Sequence, residues 1–327
     1  MSNLDFSKIC EIINQYKTFS IYVHINTDFD AIGSALALRK ILNKLGKTAH
    51  VFVDSILPHN VDFIEDYECI NNEKLDSYDV CCALDCNDEN RLGRLRYKYR
   101  KNVKSSFQID HHLDNTNFLK ENVIDSGSSS TCEMVYELAK QLNIELDPVL
   151  CKYLICGILT DTGCLKFSNT KPSTLRVIAE LIEKGGYIMD ELTYPLFNNL
   201  TFEAFELKKR SIDKLEYICD KKAGVVILTE QDLKECGVGF EHTKGLTDVP
   251  MQIQDLKVVV LATESKIDNA YHISIRTKDN FSAQAIAKEF GGGGHKKAAG
   301  CKIAIEYENT IKQMLADAIQ KELNKQC

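Results

Sequence analysis

The chain has 327 residues, 44% of them hydrophobic and 27% charged, with a net charge of −7. That length suits two domains with separate cores, and the composition is ordinary for a globular protein. The acidic balance argues against coating long nucleic acid by charge alone, which needs a basic surface, but leaves room for a short anionic substrate in a local basic pocket.

The N-terminus, MSNLDFSKIC, lacks a basic stretch followed by an apolar one. FSIYVHI, residues 19–25, predicts a strand, and AIGSALALRKILNKLG a helix stopped by Gly46. TAHVFVD predicts a second strand. YDVCCALD, ending in Asp85, and KSSFQID, ending in Asp110, are apolar with little polar alternation, as buried parallel strands are. TCEMVYELAKQLN and PSTLRVIAELIEKGG predict helices, Pro172 suiting a first turn. Between them the apolar run YLICGILT, residues 153–160, leads into Asp161. This alternation implies an α/β fold with a doubly wound parallel sheet.

TFEAFELKKRSIDKLEY predicts one long, polar connecting helix. Beyond it AGVVILT, KVVVLAT, YHISIRT and CKIAIE predict strands, and QDLKECG, SAQAIAKEF and NTIKQMLADAIQKELNK predict helices, giving a second, smaller α/β domain. The expected division is a catalytic domain over 1–186, a linker helix region over 187–217 and a substrate-binding domain over 218–327. The 13 cysteines are odd in number and form no C-x-x-C pair, which disfavours zinc and points to a reducing, cytoplasmic compartment. No apolar run approaches the roughly 20 residues that span a bilayer, so no membrane partner is expected.

Ligands of open parallel sheets bind beyond the carboxyl ends of the strands. Four segments deliver Asp or His there. His24, Asp28 and Asp30 follow the first strand; Asp85 ends the third; Asp110, His111 and His112 end the fourth; Asp161 follows YLICGILT. Taken singly each has a bland explanation, Asp30 for instance as a cap of the helix beginning at Ala31. Together they predict two divalent ions sharing a carboxylate, a site suited to phosphate ester hydrolysis. Carboxylate and imidazole ligands suit Mn²⁺, with Mg²⁺ or Co²⁺ as alternatives.

HINTDFDAIGS, ALDCND, IDHHLDNTNF and GILTDTGCLKFSNT resemble, in order and spacing, the successive motifs of the DHH phosphoesterase superfamily, and most closely its bacterial nanoRNase/pAp phosphatase branch. The resemblance implies that His24, Asp28 and Asp85 hold one metal. It implies that Asp30, Asp85, His111 and Asp161 hold the other, with Asp85 bridging. His112 would face the scissile phosphate and Asp110 would orient its neighbours. Thr27 and Phe29 depart from the family pattern between ligands.

EFGGGGHKKAAG, residues 289–300, lets backbone N–H groups approach an anion closely, with His295, Lys296 and Lys297 adding charge; its plain alternative is a flexible loop. It lacks the GK[ST] ending of a P-loop. By resemblance Gly293, Gly294, His295 and Arg276 would bind substrate. The basic run from Arg91 to Lys104 reads first as a solvated face, with RNA recruitment as the alternative.

The implied activity is hydrolysis of very short single-stranded RNA to mononucleotides, with removal of phosphate from 3′-phosphoadenosine 5′-phosphate. The alternative is cleavage of cyclic dinucleotides or of linear pApA or pGpG. Long duplex nucleic acid is not an expected partner, and a homodimer is compatible with the sequence. An inorganic pyrophosphatase would carry an SRKKQ-type clamp, which is absent. A binding protein without chemistry would not need the intact ligand set.

Overall fold

The apolar runs of the first half pair as strands. Helix α1 (Ser7–Gln15) precedes β1 (Thr18–Tyr22), α2 (Phe29–Lys44), β2 (Thr48–Phe52), β3 (Val80–Leu84), β4 (Ser105–Asp110) and β5 (Glu121–Ile124). The strands lie in the order β2-β1-β3-β4-β5, all parallel. Four helices follow: α3 (Thr131–Gln141), α4 (Pro148–Asp161), α5 (Pro172–Gly185) and α6 (Met189–Phe197). The computed structural model describes residues 4–58, 60–72 and 74–325, which divide into two compact units, Met1–Asn199 and Leu200–Cys327.

Side chains alternate across the sheet. Phe19, Ile21, Val80, Cys82, Leu84, Phe107 and Ile109 pack with the helices into one core. On the opposite face Tyr22, Cys81 and Ala83 meet Leu92, Tyr99 and Leu119. Burial on both sides explains why the strands lack polar alternation. The strand order reverses between β1 and β3, the switch point at which such sheets open a crevice.

YLICGILT is helical, not a strand end: it lies within α4. Asp147 caps that helix by accepting the Leu150 N–H at 2.9 Å, and Pro148 occupies its first turn. A continuous apolar run does not separate a buried helix from a buried strand. Here α4 is enclosed by α2, α3 and α5 and is therefore apolar nearly all round.

The second unit contains α7 (Phe202–Asp213), β6 (Glu216–Ile218), β7 (Ala223–Leu228), α8 (Glu230–Cys236), β8 (Val258–Ser265), β9 (Ala270–Thr277), α9 (Ala283–Lys288), β10 (Gly293–Gly294), β11 (Ala298–Ala304) and α10 (Ile311–Asn324). The expected long polar helix stops at Asp213, and the residues after it form β6. Its sheet runs β10-β11-β9-β8-β7-β6, antiparallel except for β7 with β8. Among the described residues every cysteine is a free thiol, and no helix is long and apolar enough to cross a membrane.

Candidate metal centre

The turn after β1 sets the first three side chains. Asn26 takes φ 63°, and the Thr27 hydroxyl donates to the His24 carbonyl at 2.8 Å, closing the turn. Asp28, not Asp30, is the cap of α2: its carboxylate accepts the Ala31 N–H at 3.1 Å. Asp30 lies inside the first helical turn, fully buried. Its Oδ2 accepts the Thr131 N–H at 2.7 Å and its Oδ1 the Cys132 N–H at 2.9 Å, so the N-terminus of α3 grips both oxygens.

Asp85 follows β3 with φ 52°, a left-handed conformation held by its N–H bond to the Ile109 carbonyl at 3.1 Å. Oδ2 of Asp85 is 3.2 Å from His24 Nε2, and Oδ1 is 3.6 Å from His111 Nε2. The Thr131 hydroxyl donates to Asp85 Oδ1 at 3.1 Å. His111 Nε2 is also 3.1 Å from Asp161 Oδ2 and 3.9 Å from Asp30 Oδ2. Donor atoms of His24, Asp28 and Asp85 lie within 4.8 Å of one another, as do those of Asp30, His111 and Asp161. Asp85 stands between the two groups, one oxygen toward each.

The donor set fits divalent cations. Four carboxylates converge here, and burial together with the charges of Asp85 and Asp161 pushes Asp30 well above the ordinary carboxylate range. Burial likewise raises Asp161, against the pull of His111. Burial alone would raise Asp85 too, but the His24 hydrogen bond and the nearby His112 and His111 outweigh it and hold Asp85 low. Burial opposes charge on His24 and His111, yet their carboxylate neighbours raise both. Cations would replace these protons. His24 Nδ1 lies 2.6 Å from the Ile25 carbonyl, which can only accept, so Nδ1 carries hydrogen and Nε2 is the atom that could ligate a cation.

His112 Nδ1 bonds Asp110 Oδ1 at 2.7 Å, leaving Nε2 as its other polar atom. Thr131 is the contributor that sequence reasoning missed; its only local signal is the serine-rich cap before α3.

The substrate-binding candidates belong to the second unit. Arg276 is on β9 opposite Ala298. Its guanidinium donates to the neighbouring Ile275 carbonyl at 3.1 Å, and burial lowers its pKa. Gly293 and Gly294 pair with Gly300 and Ala299, so half of the glycine run is strand rather than loop. A Cβ at Gly292 would sit 2.2 Å from the Gly300 oxygen, whereas one at Gly293 would meet nothing within 4 Å. His295 is exposed and closes a tight turn, its N–H bonding the Ala298 carbonyl at 2.8 Å.

Much of the basic run is structural. Arg94 holds Asp54 at 2.5 Å, Lys104 holds Asp79 at 2.7 Å, and Arg100 bonds the Phe118 carbonyl.

Comparison with known proteins agrees with this architecture. The model of the DHH family, N-terminal domain, matches residues 18–158, and that of the DHHA1 domain matches residues 240–321. A bifunctional oligoribonuclease and PAP phosphatase NrnA from Thermus thermophilus is 29% identical over 308 residues, covering 93% of this chain and 90% of that protein. Its counterpart from Bacillus subtilis is 24% identical, covering 91% and 93%. The crystal structure of an exopolyphosphatase-related protein from Bacteroides fragilis shares the fold, with a TM-score of 0.87 at 21% identity, covering 97% of this chain and 98% of that one. The chain thus carries a DHH family N-terminal domain over residues 18–158 followed by a DHHA1 domain over residues 240–321.

Proposed function

We propose that this chain is a divalent-metal-dependent phosphoesterase that hydrolyses very short RNA to mononucleotides and removes phosphate from 3′-phosphoadenosine 5′-phosphate. The observation that carries the reading is the placement of Asp85, with Oδ2 3.2 Å from His24 Nε2 and Oδ1 3.6 Å from His111 Nε2. On this reading His24, Asp28 and Asp85 hold one ion. Asp30, Asp85, His111 and Asp161 hold the other. Relatives named oligoribonuclease and PAP phosphatase, similar along nearly the whole chain, support the substrate class.

Two bound ions would neutralise charge on the phosphoryl group and lower the pKa of an attacking water; Mn²⁺ suits the mixed oxygen and nitrogen donors. The protein's own part is positioning. Asp110 accepts a hydrogen bond from His112 Nδ1–H, which fixes the ring and turns Nε2 into the atom that would donate to a phosphate oxygen or to the leaving oxygen. The N-terminus of α3 and the Thr131 hydroxyl hold Asp30 and Asp85 in place. In the second unit Arg276 and the Gly293–Gly294–His295 segment take the nucleotide, an arginine fork matching phosphate in a bidentate way. The free thiols fit action in the cytoplasm.

Hydrolysis with added Mn²⁺ tests the proposal on RNA dinucleotides to pentanucleotides, 3′-phosphoadenosine 5′-phosphate, pApA, cyclic di-AMP and pyrophosphate. The expected products are mononucleotides from the short RNAs and inorganic phosphate from the bisphosphate. Cleavage of cyclic di-AMP or pyrophosphate alone would overturn the substrate assignment.

A further inference from the structure

Among the described residues the Arg91 guanidinium bonds no protein oxygen. Arg91 lies in the short 3-10 segment Glu89–Tyr97 and is half-buried. Its carbonyl accepts the Ile25 N–H at 2.7 Å, which ties it to the turn carrying His24 and Asp28. Leu92, the next residue, is fully buried. Gly93 then takes φ 62°, ψ −135°, where a Cβ would lie 2.5 Å from Asp54 Oδ2 and 2.7 Å from Ile25 Cγ2. Such a conformation requires glycine. Arg91 is therefore anchored on both sides.

Its guanidinium Nη2 is 3.3 Å from His24 Nδ1. That contact is not a hydrogen bond, because Nδ1 spends its proton on the Ile25 carbonyl and both atoms are donors. Arg94, Arg100 and Lys104, from the same run, all bond protein oxygens. Among the described residues no carboxylate pairs with Arg91. An arginine whose guanidinium lies against the Nδ1 side of His24, held by its backbone and with no protein oxygen as acceptor among the described residues, is suited to an acceptor that arrives with the substrate.

We propose that Arg91 binds the substrate's phosphate in the first unit. This rests on the phosphoesterase reading above. The four carboxylates Asp28, Asp30, Asp85 and Asp161 match the charge of two divalent ions. The phosphate ester then brings negative charge that the ions do not balance, and the Arg91 fork supplies it with two parallel donors. The side chain acts on the substrate and is no ligand of the metal.

The test uses the full chain with Mn²⁺ and compares wild type with Arg91→Gln and Arg91→Lys on an RNA dinucleotide and on 3′-phosphoadenosine 5′-phosphate. Removing one preorganised donor to developing charge costs about 10²- to 10³-fold, and Arg91→Gln should lose that much of kcat/KM. Arg91→Lys should keep part of it, having the charge without the fork. Mn²⁺ affinity and Tm should equal those of wild type, and added methylguanidine should restore activity to Arg91→Ala. Unchanged kcat/KM in Arg91→Gln, or a loss fully explained by weaker Mn²⁺ binding, would overturn the proposal. If Arg91→Gln does not fold, Arg91→Lys decides: wild-type kcat/KM there, with no bidentate advantage, overturns it. A wild type inactive on every phosphate ester would instead sink the phosphoesterase reading. Arg91 is then judged by equilibrium binding of 3′-phosphoadenosine 5′-phosphate. Binding lost in Arg91→Gln supports the contact, while equal or absent binding contradicts it.

Discussion

Nδ1 of His112 lies 2.7 Å from Oδ1 of Asp110, a carboxylate with no exposed surface. Burial of His112 opposes its charge, but the Asp110 bond and the Asp85 charge outweigh that and raise its pKa. Asp110→Asn removes the raising partner, so the pH–rate limb belonging to His112 should move to lower pH. Loss of such an orienting partner typically costs 10- to 100-fold, and kcat should fall by roughly that factor with little change in Mn²⁺ affinity. Steady-state pH profiles of both proteins check this; superimposable profiles would remove Asp110 from the mechanism.

Thr131 donates its hydroxyl to Asp85 Oδ1 at 3.1 Å while its N–H serves Asp30. Thr131→Val keeps the shape and the backbone bond and deletes only the hydroxyl. We expect Mn²⁺ affinity to fall by about 10-fold, with Thr131→Ser close to wild type. Calorimetric titration of the three proteins reads this directly.

Gly157, in the middle of α4, lets α2 and α3 approach closely. A Cβ there would lie 2.3 Å from Cys132 Sγ and 2.7 Å from Asp30 Oδ1. Gly157→Ala should destabilise the fold by about 1–3 kcal/mol, as overpacking does, and weaken metal binding by displacing Asp30. Urea unfolding and a Mn²⁺ titration would show the two effects together. A variant as stable as wild type would mean that the helices can separate at little cost.

Asp79 ties the starts of β1 and β4. It accepts from Lys104 and from the Thr18 N–H and hydroxyl, and the Lys104 bond leads in holding its pKa down at about 2, below the ordinary 3.8. A depressed carboxylate stabilises the fold above its ordinary pKa and loses that contribution as pH falls through the folded value. Asp79→Asn should therefore cost about 1 kcal/mol at neutral pH, allowing for solvent screening of a partly exposed pair. The difference should close between pH 4 and pH 2. Chemical denaturation at several pH values tests the sign.

The strand-borne part of the centre was legible because each acid or histidine follows a recognisable apolar run, and strand ends share one edge. The apolar runs alone put His24, Asp28, Asp85 and the neighbours Asp110, His111 and His112 at that edge, whereas the choice of His111 among the last three came from the family resemblance. Asp161 was legible as a residue but not as a helix terminus, since its apolar run has no period that separates helix from strand. The plain alternative for Asp30, a cap of α2, falls to Asp28 instead, while the N-terminus of α3 takes both Asp30 oxygens. Thr131 was hidden because its partner Asp85 lies 46 residues away, a contact only the folded sheet creates. Strand β5 was missed because ENVI is short and half-buried, without the apolar density of its neighbours.

With one oxygen toward each group of donors, Asp85 should bridge two ions. Electron paramagnetic resonance of the Mn²⁺-loaded protein, with metal content measured in parallel, tests it most directly. We expect two Mn²⁺ per chain with an exchange-coupled spectrum, and loss of both the coupling and the activity in Asp85→Ala. A single uncoupled Mn²⁺, or a coupled pair that survives Asp85→Ala, would contradict it.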